Sequence, residues 1–374
     1  MRWFVLCLCL LNHQAWSQST ELAISDPLKY VAELETQVAT SSSDISFAAL
    51  KNLIKHKRVV HVGEIHPNYS DHLIQLAALQ SLHQASPNIA IGVEWFQQPF
   101  QPWLDAYILG QIDEAELLHQ TQYYQRWRVD FRLLRPILQY ARQHQLRILA
   151  LNTPAELTRQ VSSLGKQSLS IEQLANLPKI HPPSSEQQAR LTQIFKDKIP
   201  PDREIADFIF AQRIWDETMA FNAVSFLQRN PDHKLLVFAG NFHLAYQAAI
   251  PSDMARQTPE LKEQQVTISS GSFENYEPGA FDYFVFTDPI ELPTHARMGT
   301  RLNTQNLCIE SIEPDSAAEK AGLMVDDCLI EFNEIRLKHY ADLMLKLSET
   351  SAKSSAKLTL KRQDQTLQIE IKFD

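Results

Sequence analysis

The sequence predicts an α/β fold, a mostly parallel sheet flanked by helices with a helical cap, followed by a small β-rich unit at the C-terminal end. Two observations carry this reading. Short β-branched or aliphatic runs alternate with helix-period segments through the first two-thirds of the chain, and each run is apolar as a strand buried on both faces must be. Length agrees, since 374 residues suit about two domains with substantial cores.

The elements follow in order. Met1 and Arg2 give a short positive start, Trp3 to Leu11 is an unbroken apolar run, and Ala15-Trp16-Ser17 is a small-x-small cleavage site. Residues 1–17 are therefore expected to be a signal peptide that exports the chain to the periplasm or cell envelope, because the run is too short to span a bilayer. Cys7 and Cys9 lie inside the run with no lipid-attachment pattern at its end, so a lipid anchor is not supported. Predicted strands are Arg58–Gly63, Ile89–Phe96, Leu146–Leu151 and Lys234–Ala239. Ser70–Ala85 and Pro136–His144 have helical spacing, with Pro136 suited to a first turn where its missing N–H costs nothing. The polar, proline-punctuated stretch from Pro154 to Pro201 reads as a helical cap or mobile insertion.

Arg203 to Gln228 then reads as one long helix whose stripe includes Ile205, Phe208, Ile209, Trp215, Met219, Ala223 and Phe226. Gln212 and Asp216 interrupt that stripe one turn apart, and a carboxylate there must be paired or face a polar cavity. A proline-marked break from Asp288 to Pro293 opens the second unit, with one clear helix over His339–Leu347. The boundaries expected are 18–290 for the α/β domain and 294–374 for the C-terminal domain.

Composition removes several classes of function. A formal charge of -9 leaves no basic field for a polyphosphate, so nucleic acid is not a partner. There is no HExxH, no GxSxG elbow, no Walker loop and no GxGxxG. Beyond the signal only Cys308 and Cys328 remain, read in preference as two small buried hydrophobes, with one disulfide as the alternative in an exported chain.

Ligands of open α/β sheets sit beyond the carboxyl ends of the strands, and here every such end is polar. The four predicted strands lead to Glu64 and His66 in GEIH, to Glu94, to Asn152, and to His243 in GNFH. Two of only nine glycines open the GEIH and GNFH tetrapeptides, which suggests sharp turns delivering both histidines to one side. Two chemistries are open to such a rim. A divalent metal could be held by His66 and His243 with Glu64 as general base of a hydrolase. Alternatively, His or Tyr side chains could ligate haem iron, with Trp95, Phe96, Trp103, Tyr123, Tyr124 and Trp127 as either a porphyrin wall or plain core. His61 reads as a core residue, whereas Tyr69 and His72 read as site residues or ordinary surface.

The ordered set VVHVGEIH, IGVEWFQQPFQPWLDAYILG, ILALNTPAEL, IWDETMA and VFAGNFH resembles the ChaN-like haem-binding lipoprotein family, within the Tiki, TraB and erythromycin-esterase superfamily. The likeness covers roughly Phe47 to Thr287. It implies haem as cofactor and partner, a role in iron uptake, and a cofactor site drawn from His66, Glu94, Asn152, Asp216, His243 and Tyr69. A haem held between two subunits of a homodimer stays open on the same grounds. Tiki-type relatives are metal-dependent peptidases, which keeps the hydrolase reading with Glu64, His66 and His243 as the alternative.

From Thr294 onward the chain resembles a bacterial-type PDZ domain, through ARMGTRLN, IESIEPDSAAEKAGLMVDDCLIEFNE and Tyr340 to Leu347. That resemblance implies docking of a peptide or protein C-terminus by strand addition, with Gly299 in the carboxylate loop. Asp326 and Glu334 stand where this pattern usually has glycine.

Overall fold

In the computed structural model, which describes residues 27, 37–40, 44–197, 199–200 and 203–373, four strands match the predicted runs: β3 (Val59–Glu64), β4 (Ile89–Gln97), β5 (Arg147–Asn152) and β6 (Lys234–Gly240). Each ends one residue later than the apolar pattern suggests, which draws Glu64, Asn152 and Gly240 into the ladder. The expected signal peptide and Pro201 lie outside the described residues. Four further strands escape the sequence reading: β1 (Gln37–Thr40), β2 (Asp44–Ser46), β7 (Gln265–Gly271) and β8 (Tyr283–Phe286). The sheet order is β2-β1-β8-β7-β3-β6-β4-β5, parallel from β8 through β5 and antiparallel at the β1 and β2 edge.

The described residues divide into two units. One runs to Ile108 and resumes over Val129–Leu292, while the other joins Leu109–Arg128 to the chain from Pro293 onward.

Helices of the first unit are α1 (Phe47–Ile54), α2 (Tyr69–Ala85) and α3 (Gln101–Ile108) before the break. The second unit takes α4 (Glu114–Gln120) and α5 (Tyr123–Arg126). The first resumes with α6 (Phe131–Gln143), the cap helices α7 (Ala155–Leu164), α8 (Ile171–Ala175) and α9 (Ser185–Phe195), the long α10 (Ile205–Arg229), α11 (Ile250–Gln257) and α12 (Leu261–Gln264). Pro136 is not in a first turn. Asp130 caps α6 by accepting from the Arg132 N–H at 3.0 Å, so the helix starts five residues before Pro136 and holds it in its interior. The stripe on α10 is realised: Met219, Ala223, Phe226 and Leu227 pack on Ala90, Leu149, Leu235 and Val237 of the sheet. Val161 and Leu169 of the cap close on Ala211 and Ile214 of the same helix. Among the described residues no helix is long and apolar enough to cross a membrane.

In the second unit β9 (Thr300–Leu302) pairs with β10 (Ile309–Ile312), and β11 (Cys328–Phe332), β12 (Ile335–Arg336), β13 (Ser355–Arg362) and β14 (Gln365–Lys372) form an antiparallel sheet. Two helices accompany them, α13 (Ala317–Lys320) and α14 (Tyr340–Ser348), the latter capped by His339. Cys308 and Cys328 are not a pair of buried hydrophobes: both are half-exposed and joined in a disulfide. An antiparallel bridge between these two residues brings the backbones together, a proximity that spacing along the chain does not reveal.

Asn333 and Glu334 form the two-residue turn between β11 and β12, both with left-handed backbone at φ 49° and 66°. Such a hairpin turn favours Asn followed by Gly, so Glu334 carries conformational strain. Glu334→Gly should raise stability by about 1 kcal/mol in urea unfolding; a destabilised variant would show that the Glu334 side chain matters more than its backbone.

Candidate functional site

The strand order places the ends of β3, β6, β4 and β5 side by side, so the polar residues that terminate them share one rim. Glu64 is the register partner of Gly240. Both rim glycines are required by close packing. A Cβ on Gly63 would collide with the Asn241 amide oxygen, and one on Gly240 would lie 3.0 Å from His66 Cε1 and 3.6 Å from Glu94 Oε2. A register shift in β4 between Val93 and Gln97 spans Glu94, Trp95 and Phe96.

Glu64 is buried and acts as a brace. Its carboxylate accepts from His66 Nδ1 at 2.8 Å, Gln75 Nε2 at 2.6 Å and Trp95 Nε1 at 3.0 Å. His72 Nε2, on α2, donates to the His66 carbonyl at 2.9 Å. Held this way, the His66 ring keeps one orientation while its side chain stays 38% exposed. Partial burial pulls its pKa down, but the Glu64 hydrogen bond and the charges of Glu94 and Glu64 outweigh that, and the net shift is upward.

The second arm is an enclosed imidazolium. His243 Nδ1 donates to Asp216 Oδ1 at 2.6 Å, and Nε2 faces Glu94 Oε1 at 3.3 Å. The Gln212 amide lies 3.1 Å from the same Nδ1, but that nitrogen already gives its proton to Asp216, so the acceptor for Gln212 is Asp216 Oδ1 at 3.4 Å. Burial disfavours the charged ring, yet Glu94 and Asp216 raise the His243 pKa to about 10. Burial likewise pushes Glu94 up, but His243, His66 and the Gly240 N–H at 2.7 Å bring it down to about 2. Arg213, buried on α10, supports Asp216 at 3.4 Å while binding Asp253 and Glu217. The polar break in the α10 stripe is thus a paired carboxylate.

Other predicted residues take different places. Asn152 Nδ2 donates to the Glu94 carbonyl at 3.0 Å, steadying the strand that presents the carboxylate. Tyr69 is buried, and burial pushes its phenol up to about 12. His61 is core: Nε2 meets Gln265 Oε1 at 3.0 Å and burial lowers its pKa to about 4. Trp95 and Phe96 are buried in β4, with the Trp95 indole N–H spent on Glu64, so neither is an open porphyrin wall. Tyr123, Tyr124 and Trp127 belong to the second unit. Gly299 lies in that unit too, with φ 72°.

Sequence reasoning missed the supporting donors Gln75, Trp95 and Arg213. In sequence they look like helix surface, core aromatic and helix surface, and only their burial beside carboxylates gives them away. Among the described residues no group of three or more His, Cys, Asp or Glu side chains is arranged to hold a metal ion.

Comparison with known proteins fits this architecture. The family model for haem-binding uptake proteins of the Tiki superfamily, ChaN, matches residues 50–254, and the PDZ domain model matches 296–373. No curated protein matches. Among solved structures, ChaN of Campylobacter jejuni, determined with cofacial haem, superposes with a TM-score of 0.53 at 17% identity, covering 68% of this chain and 97% of its own. An erythromycin esterase in its open conformation gives a TM-score of 0.38 at 14% identity over 76% of this chain and 85% of its own. A serine endoprotease from Yersinia pestis gives 0.20 at 17% identity over 27% and 39%.

The enclosed pair has a pH signature. His243, raised from 6.5 to about 10, contributes stability that is complete below pH 6.5 and lost as pH climbs toward 10. Glu94, lowered from 4.5 to about 2, contributes stability that is complete above pH 4.5 and lost as pH falls toward 2. His243→Gln should therefore cost about 3 kcal/mol near pH 5.5, as expected for breaking a buried pair, and clearly less near pH 9.5. A cost independent of pH in urea titrations would show that His243 is not charged.

Proposed function

The chain belongs to the ChaN family of haem-binding uptake proteins in the Tiki superfamily, and from that premise we propose that its sheet rim binds haem on the exposed side of His66. The observation that carries this is the contrast between the two histidines. His243 is sealed between carboxylates, whereas the His66 ring is fixed by Glu64 yet remains open to solvent.

The donor chemistry suits the group. His66 would hold the group, whose iron accepts a basic imidazole, and the Glu64 carboxylate on His66 Nδ1 would fix the tautomer and raise the basicity of the ring. Ile65 and Phe242 leave the ends of the same strands 42% and 37% exposed, giving apolar surface suited to a porphyrin face. Haem capture then serves uptake of haem or iron, outside the cytoplasm if residues 1–17 act as an export signal.

The PDZ domain serves as the docking module in this reading. The Gly299 carbonyl accepts from the Glu313 N–H at 2.8 Å and the Met298 carbonyl from the Ala318 N–H at 2.9 Å. With these carbonyls turned to the domain, the loop can offer N–H groups to a peptide carboxylate. A Cβ at Gly299 would collide with Ser316 Cβ, so the loop depends on glycine.

Haemin titration of the purified protein should give a saturable Soret shift. His66→Ala should abolish it, and Glu64→Gln should weaken binding 10- to 100-fold, roughly what loss of a ligand-orienting partner costs, with near-UV circular dichroism unchanged. An unaltered titration in His66→Ala would refute haem binding at this ring.

A further inference from the structure

The segment Leu109–Arg128 lies inside the haem-family match in sequence, yet it folds with the PDZ unit. Leu117, Leu118 and Tyr123 are buried there. His119 stacks on His339 with ring centroids 3.6 Å apart, and Glu116 Oε2 lies 3.3 Å from His339 Nε2. These contacts fix the segment at the start of α14.

Helical geometry sorts the faces of α14, against which α4 packs. At 100° per residue, Leu343 and Leu347 share one face, and they enter the PDZ core. Ala341 and Leu345 are buried on a separate face. Tyr340 and Met344 fall between the two. They pack against the core and remain partly exposed. Tyr124 meets Tyr340 edge-on with centroids 5.7 Å apart.

A strand added along β9 would run past this side of α14. Tyr340 and Met344 are one helical turn apart, about 6 Å along the axis, and alternate side chains of an extended peptide are spaced by about 6.6 Å. With the strand docked in that direction, one of its side chains would meet Met344. The side chain two residues upstream meets Tyr340 and, beside it, Tyr124.

We propose that Leu109–Arg128 completes the peptide groove, with Tyr124 and Tyr340 forming an aromatic subsite for a bulky apolar or aromatic residue two positions before a free C-terminus. The inference rests on the peptide-docking reading of the PDZ domain.

The test uses the full chain and two fluorescein-labelled decapeptides ending Phe-Ala-Val and Ser-Ala-Val, with binding followed by anisotropy. Wild type should prefer the Phe peptide by about three- to tenfold, the worth of an added aromatic contact. Tyr124→Ala should lower that ratio to about one while keeping affinity for the Ser peptide, Tyr124→Phe should retain it, and Gly299→Val should lose both peptides. Unchanged selectivity in Tyr124→Ala, or equal loss of both peptides in that variant, overturns the subsite alone. If wild type binds neither peptide, the docking reading and the subsite fall together.

Discussion

The rim is organised by the need to satisfy three carboxylates buried at the ends of parallel strands and on the helix beside them. Glu64, Glu94 and Asp216 are each no more than 7% exposed, and an ion at such depth is tolerated only when donors or counter-charges surround it. Elements that lie beside them in the fold supply these: Trp95 and Gln75 for Glu64, the Gly240 N–H and His243 for Glu94, His243 and Arg213 for Asp216. Removing Cβ at Gly63 and Gly240 is what allows Asn241, His66 and Glu94 to come so close.

The same constraint divides labour between the two histidines. His243 carries a charge that offsets Glu94 and Asp216, and burial keeps it out of exchange with ligands. The His66 ring is held by Glu64 through Nδ1 while its side chain stays 38% exposed, so it combines a fixed orientation with access. The rim thus carries one exposed and one enclosed histidine, although both arise from similar tetrapeptides, GEIH and GNFH.

Much of this was legible in the sequence. Apolar runs located the four central strands because burial on both faces forbids alternation, and the Gly-x-x-His pattern marked where two of them, β3 and β6, end. That Asp216 must be either paired or turned to a polar cavity followed from its place in an apolar stripe, and the structure pairs it with His243. What stayed hidden is long-range. Trp95 reads as core until Glu64 lies beside its N–H; the Cys308–Cys328 bond depends on two strands meeting; β7 carries two serines and a glycine that blur its pattern, and β8 is only four residues long. Pro136 misplaced the start of α6 because proline favours first turns, whereas the cap was Asp130. The allocation of Leu109–Arg128 to the PDZ unit has no local signal, since helix α4 looks like any amphipathic segment.

The claim that His66 presents the ligand side of the rim while His243 stays enclosed is tested most directly by long-range proton–nitrogen NMR of the histidine rings during titration with gallium protoporphyrin, a diamagnetic haem analogue. The account predicts that the His66 ring-nitrogen signal moves with saturation, while His243 keeps an imidazolium signature at pH 8 throughout. A neutral His243 at that pH, or a saturating porphyrin that leaves His66 unmoved, would contradict it.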